Sequence, residues 1–260
     1  MSLPFEQFRS ILTETASVLS SGSECPVRLR PICIRLGVRG IKRDRLEGAR
    51  SLLIDARDNP VIILNNSLAG TAKGKAPFRP WERFLIAHEL GHLVLHQRGA
   101  KGPSGASEYW KLEKLCDVFA RRLLIPEPIV ARLINDTGSS AIQKLRATVG
   151  VVNACSVPWS IAALRVADVN DGTVFLRLAP EQTGGFKIVV STCRNQQGLG
   201  QRIKPGTQLY KTLYEPFNSV STLREIDGRR LSGIAGIHGI CSGATYLVQG
   251  SLRVALIPSP

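Results

Sequence analysis

The chain lacks any run approaching the roughly eighteen consecutive apolar residues that a membrane-spanning helix needs, so no membrane span is expected. Its first residues lack the apolar core of a signal peptide, because Glu6, Arg9 and Glu14 interrupt them; the cytoplasm is the expected compartment. Six scattered cysteines (Cys25, Cys33, Cys116, Cys155, Cys193 and Cys241) include no C-x-x-C pair. Without an export signal they are read as reduced and mostly buried. Repeats and low-complexity tracts do not stand out either. Acidic residues are scarce, 20 against 34 basic ones, for a net charge of +14. The densest basic stretch lies in residues 28–50, where Arg28, Arg30, Arg35, Arg39, Lys42, Arg43, Arg45 and Arg50 face only Asp44 and Glu47. Such a surface would attract nucleic acid or an acidic partner, and it can equally be a solvated basic face. Few aromatics are interleaved with it, so a stacking platform for single strands is not indicated.

Against these absences stands His88-Glu89-Leu90-Gly91-His92. Four residues advance an α-helix by about 6 Å and return to nearly the same face, so both imidazoles can reach one metal ion. Glu89 projects from a neighbouring position and can address a metal-bound water, the H-E-x-x-H arrangement of zinc proteases. The flanks agree with a helix. Pro80 and Glu82 suit its first turn, and Phe84, Leu85, Leu90 and Leu95 can form a buried stripe. Gly91 costs roughly 1 kcal/mol in a helix interior, which makes sense if another backbone, or a substrate, passes close by.

Two histidines want a third protein ligand. His96 lies a further turn along the same helix, where three ligands in a row would smear along the axis; position 98, the metzincin place for a third histidine, is Arg98. His238 is remote, in a Gly-rich stretch. Glu113 is the best placed, about twenty residues downstream on a second amphipathic helix that stops before Pro126. Glu113 and Asp117 are four apart and share a face, so one can bind the metal while the other holds a ligand histidine by its second ring nitrogen. Both can also be plain solvated charges.

The string HELGHLVLH, followed by E-x-x-C-D-x-F-A-x-x-L-L-I-P, resembles the ImmA/IrrE family of bacterial and phage metallopeptidases. That family reads H-E-L-G-H-x-x-x-H and then E-x-x-A-[N/D]-x-F-A-x-x-L-L-x-P. The matching positions run from Glu113 through Asp117, Phe119, Ala120, Leu123 and Leu124 to Pro126, with Cys116 where alanine is usual. Clear similarity covers roughly residues 76–126, and weaker similarity of layout roughly 26–166. The resemblance implies His88, His92 and Glu113 as zinc ligands, with manganese as a substitute, and Glu89 as the catalytic base. Asp117 would then orient a ligand histidine. The implied substrate is a regulatory protein, commonly a helix-turn-helix repressor encoded nearby, cleaved to switch on stress, mobile-element or defence genes. The competing classes are a basic DNA-binding regulator with a structural zinc, and a toxin–antitoxin or phage-defence component that acts by binding a partner.

The expected fold class is α+β: a zincin-like helical peptidase core with a small β-sheet in residues 1–135, then a mostly β domain in residues 171–260, sensory or interactive. A helical connector in residues 136–170 joins them. In the first part, residues 4–20 read as a helix with Phe5, Phe8, Leu12 and Val18 on one side. Residues 26–37 read as a short element closed by Gly37, and Leu52-Leu53-Ile54 with Val61-Ile62-Ile63-Leu64 read as a β-hairpin. An edge strand beside the metal helix can bind an extended peptide by β-augmentation. Residues 69–77 and 99–107 read as loops framing the cleft. Residues 128–134, 139–149 and 157–166 read as helices, the last two, in the connector, with helix-turn-helix spacing. A recognition helix should show several polar or basic groups outward, and this one offers mainly Ser160 and Arg165, which favours a packing role. Short apolar runs from residue 172 onward, at 174–176, 187–190, 245–248 and 252–257, read as strands.

Overall fold

The computed structural model describes residues 5–22, 24–66, 78–100, 104–137, 140–169, 173–182, 184–192, 199–214, 224–227, 240–248 and 251–258. His238 and most of the two loops expected at the cleft lie outside them. The chain divides into two compact units, one of Met1–Ile129 with Val152–Pro158 and one of Val130–Val151 with Trp159–Pro260. None of the described helices is long and apolar enough to cross a membrane.

The first unit opens with α1 (Phe5–Ser20) and α2 (Leu29–Arg35). In α1 the buried side is Phe8, Leu12, Ala16 and Leu19, spaced by four, four and three residues. Phe5 and Val18, expected on that side, are exposed by 39% and 55%. Six residues from Leu12 turn a helix by about 600°, which carries Val18 to the far face, and Phe5 sits at the open first turn. Gly37 follows α2 at φ 82°, a left-handed conformation that glycine adopts without strain.

Three strands come next, β1 (Gly40–Asp44), β2 (Ser51–Ile54) and β3 (Val61–Asn65). The hairpin is as read, with β2 antiparallel to β3 from Ser51↔Leu64 to Ile54↔Val61. β1 lies on the other side of β3 and runs parallel to it, from Gly40↔Val61 to Asp44↔Asn65. Nothing in its Gly-Ile-Lys-Arg-Asp composition announces a strand, because its inward position is taken by an arginine with a buried partner. Arg43 Nε donates to Glu82 Oε1 at 2.6 Å and Arg43 Nη2 to Oε2 at 3.1 Å.

Glu82 begins α3 (Pro80–Gln97), which is followed by α4 (Ala106–Leu124). Pro80 fills the first helical position, and the same Glu82 carboxylate accepts the backbone N–H of Arg79 at 2.8 Å, closing the helix start. Residues 84–91 of α3 are all buried, well beyond a single stripe. The helix is surrounded by β2 and β3 and by α1, α2 and α4. It is therefore the core of the first unit.

Helices α5 (Glu127–Thr137), α6 (Ala141–Cys155) and α7 (Trp159–Val169) occupy the segment read as helical. Arg165, read as an outward group, is buried to 2% exposure along with Trp159, Ile161, Ala162, Ala163 and Val166. The second unit continues with β4 (Val174–Pro180), β5 (Phe186–Ser191), β6 (Arg202–Ile203), α8 (Gln208–Tyr214), β7 (Arg224–Asp227), β8 (Ile240–Val248) and β9 (Ser251–Pro258). The strands form one antiparallel sheet in the order β6-β5-β4-β9-β8-β7. The four apolar runs fall in β4, β5, β8 and β9. Trp159 meets Phe175 edge-on at 6.3 Å, and Arg253 lies over the Trp159 ring at 5.3 Å. The fold is mixed α+β.

The Arg43–Glu82 pair should contribute to the acid stability of the first unit. The hydrogen bond from Arg43 holds the Glu82 carboxyl below its ordinary 4.5, against the opposing effect of burial. A depressed carboxyl stabilises the fold above its unfolded value and loses that contribution as pH falls below about 4.5. Glu82→Gln should cost about 2–4 kcal/mol at pH 7, since it removes the buried carboxylate charge and weakens its two hydrogen bonds with Arg43. Urea melts from pH 7 to pH 3 should show this difference shrinking; a constant difference would assign the loss to packing.

Candidate metal centre

Helices α3 and α4 meet at Gly91. A Cβ on Gly91 would lie 3.2 Å from the Cα and Cβ of Cys116 and from Phe119 Cδ1. The close neighbour foreseen for this glycine is thus the α4 backbone. Phe119 and Ala120 are completely buried on the same face. Cys116 lies between Glu113 and Asp117 on their helix, so the approach brings both carboxylates alongside His88 and His92. Small residues at the crossing thereby set the spacing of the polar groups.

His88 Nε2 lies 3.2 Å from Glu113 Oε2, and His92 Nε2 lies 3.2 Å from Glu113 Oε1. The two Nε2 atoms are 3.1 Å apart. A tetrahedral ion with bonds of about 2.1 Å separates its donors by about 3.4 Å, so this triangle is close to one face of such a site. Two imidazole nitrogens and a carboxylate are suitable donors for a divalent metal, and the three residues form a group able to hold one. On its other edge His88 Nδ1 is 2.8 Å from Asp117 Oδ1. If Nδ1 carries the proton, as a metal-bound histidine requires, Asp117 accepts it and Nε2 faces Glu113 and His92. His96, in the last turn of α3, is not part of the group.

The electrostatics point the same way. Burial alone would lower the His88 pKa. Hydrogen bonds to Asp117 and Glu113, and the charges of Asp117 and Glu89, outweigh it and raise the pKa to about 10. Hydrogen bonds from His88 and His92 hold Glu113 far below the ordinary carboxyl range. Three carboxylates around one buried and one half-buried imidazole make a cluster that retains positive charge, whether a proton or a metal ion supplies it.

Glu89 is 5% exposed and lies beside this cluster. Ser51 Oγ donates to Glu89 Oε1 at 2.6 Å. Nothing in the H-E-x-x-H string signals this residue; the signal lies in strand alternation. Leu52 and Ile54 of β2 are exposed by 44% and 42%, whereas Ser51 and Leu53 are half-buried, so the serine points toward α3. Tyr109, one turn before Glu113, feels the charge of Glu113 first, with burial and a hydrogen bond to the same carboxylate adding to it. These effects raise its pKa and keep the phenol protonated.

Seven of the eight basic residues in the 28–50 run are exposed; Arg43 alone is drawn inward, by Glu82. No group of potential metal ligands other than His88, His92 and Glu113 occurs among the described residues.

Comparison with known proteins adds a family to this geometry. No curated protein matches the chain. A solved structure of a Mycobacterium tuberculosis transcriptional regulator resembles it with a TM-score of 0.50 and 13% identity. The match covers 98% of this chain and 82% of that one, and at this identity it is a likeness of fold alone. Residues 33–152 match the family model of the IrrE N-terminal-like domain, Peptidase M78, a span that holds α3, α4 and all the residues of the metal group. The chain thus carries a metallopeptidase domain of the ImmA/IrrE family.

Proposed function

We propose that the protein is a zinc-dependent cytoplasmic endopeptidase that cleaves a regulatory protein, with a helix-turn-helix repressor encoded nearby as its substrate. The observation that carries this reading is the convergence of His88, His92 and Glu113 beside a buried Glu89. His88, His92 and Glu113 would hold the zinc, with manganese as an alternative occupant. When bound, the metal supplies Lewis acidity toward a peptide carbonyl and lowers the pKa of water. The helix pair with its small sheet is read as a zincin-like core.

Glu89 takes the proton of the attacking water and returns it to the leaving amine. The Ser51 hydroxyl occupies Oε1, which leaves Oε2 as the proton-accepting oxygen. Asp117 fixes the ring orientation of His88, so that Nε2 is the ligating nitrogen. The Tyr109 hydroxyl, which meets the Glu113 carboxylate, is the candidate donor to the oxyanion. An extended substrate would add to the sheet along β2, the outer strand next to Glu89, with Leu52 and Ile54 flanking it. The exposed basic residues of the 28–50 segment favour a second reading, salt-dependent association with DNA, which a gel shift across ionic strengths tests. Residues 136–170 and 171–260 are read as a helical connector and a sensory or interaction domain, and their partner would gate cleavage in a stress, mobile-element or defence response.

The direct test incubates the chain with the helix-turn-helix protein of the neighbouring gene, with and without a chelator, and reads intact masses. One metal-dependent cut is expected, and Glu89→Gln should keep the metal but lose about 10²–10⁴-fold in rate. Full cleavage by that variant would remove Glu89 from the mechanism. Ser51→Ala should lower kcat about tenfold with KM nearly unchanged, and Ser51→Thr should restore most of it, because the lost bond orients a base and does not hold substrate. A rise in KM at constant kcat would instead place Ser51 in substrate binding.

A further inference from the structure

Away from the metal centre, within the same unit, two thiols touch. Cys155 Sγ donates to Cys25 Sγ at 3.2 Å, across 130 positions of sequence. Cys155 is fully buried, whereas Cys25 is only partly covered and lines a cleft of about 680 Å³ with Val27, Arg28, Ile32, Arg35 and Arg83. Arg83 Nη2 donates to the Val27 carbonyl at 2.8 Å, which holds the guanidinium beside the segment that carries Cys25. Its charge interacts with both sulfurs.

We propose that Cys25 and Cys155 form an oxidation site at which hydrogen peroxide converts the thiol pair to a disulfide. Exposure divides the roles. Cys155 is fully buried, and Cys25 lines a cleft with three arginines against one carboxylate, Glu24, the electropositive and accessible setting in which cysteines react. The hydrogen bond to Cys25 and burial push the Cys155 thiol well above its ordinary pKa, with Arg83 opposing. In the first step Cys25 sulfur attacks one peroxide oxygen, the O–O bond breaks, and the products are Cys25 sulfenic acid and one water. In the second, Cys155 sulfur attacks Cys25 sulfur, the S–O bond breaks, and a second water leaves with the Cys155 proton. Two thiols and one peroxide become one disulfide and two waters, with two electrons passing from sulfur to oxygen.

Cys33 and Cys116 provide the internal contrast. Both are buried, burial pushes the Cys33 thiol up to about 11 and the Cys116 thiol higher still, and among the described residues neither touches a second thiol. They should stay reduced at peroxide concentrations that oxidise the pair. The new bond would tie the segment after α1 to the end of α6, and a closed loop of this length raises stability by restricting the unfolded chain.

The test treats the purified full-length chain with hydrogen peroxide, blocks remaining thiols with iodoacetamide, and maps peptides without reduction. A peptide pair linked through Cys25 and Cys155 is expected, reversed by dithiothreitol, together with a rise in melting temperature of about 5–15 °C. In Cys155→Ala the same treatment should leave Cys25 as a sulfenic acid that dimedone captures. Recovery of both residues alkylated after peroxide would overturn the proposal, as would linkage of Cys25 to Cys33 in place of Cys155. The mapping needs no substitution, so a variant that fails to fold leaves the result decisive.

Discussion

The close approach of α3 and α4 at Gly91 is the constraint on which the site depends. A side chain there would press on the Cys116 backbone and on Phe119 at 3.2 Å, in a densely packed interior with little room to yield. The hydrogen of glycine lets the helices meet, and the meeting point sits between His88 and His92 on one helix and between Glu113 and Asp117 on the other. Separating the helices would withdraw the carboxylates from the imidazoles. A packing detail thus fixes the positions of the polar atoms, at some cost in helix propensity.

The surrounding structure holds that geometry from two further directions. The Arg43–Glu82 pair ties β1 to the first turn of α3, so the sheet and the metal helix share one frame. Ser51, from the opposite side of the same sheet, reaches Glu89 in the middle of the helix. The sheet therefore anchors the helix start and orients the carboxylate beside the metal group. Burial strengthens each of these interactions, because the charges that meet there have little water to screen them.

Much of this was legible in the sequence, for identifiable reasons. H-E-x-x-H and the E-x-x-C-D pair of carboxylates carry helical spacing, so which groups share a helix face follows from periodicity, and the hairpin and the four C-terminal strands follow from apolar runs. What the sequence does not disclose depends on contacts between distant positions. β1 looks like part of a basic run until Glu82 is seen to draw Arg43 inward. Ser51 is an ordinary strand serine until Glu89 is placed opposite it. Val18 and Arg165 depart from expectation because angular position on the helix, and not apolar or charged character, decides their burial. Gly91 marks a close approach in the sequence itself, and the packed helices identify the neighbour.

The central claim is that one divalent metal is held by His88, His92 and Glu113. Zinc titration of the metal-free chain by calorimetry, with Glu113→Gln and His96→Gln alongside, tests it most directly. The account predicts one zinc per chain, affinity reduced at least 100-fold by Glu113→Gln and unchanged by His96→Gln, by the roughly 10–100-fold scale of losses that even an orienting partner of a metal ligand produces. Equal affinity for the chain and its Glu113→Gln variant, or a loss confined to His96→Gln, would contradict it.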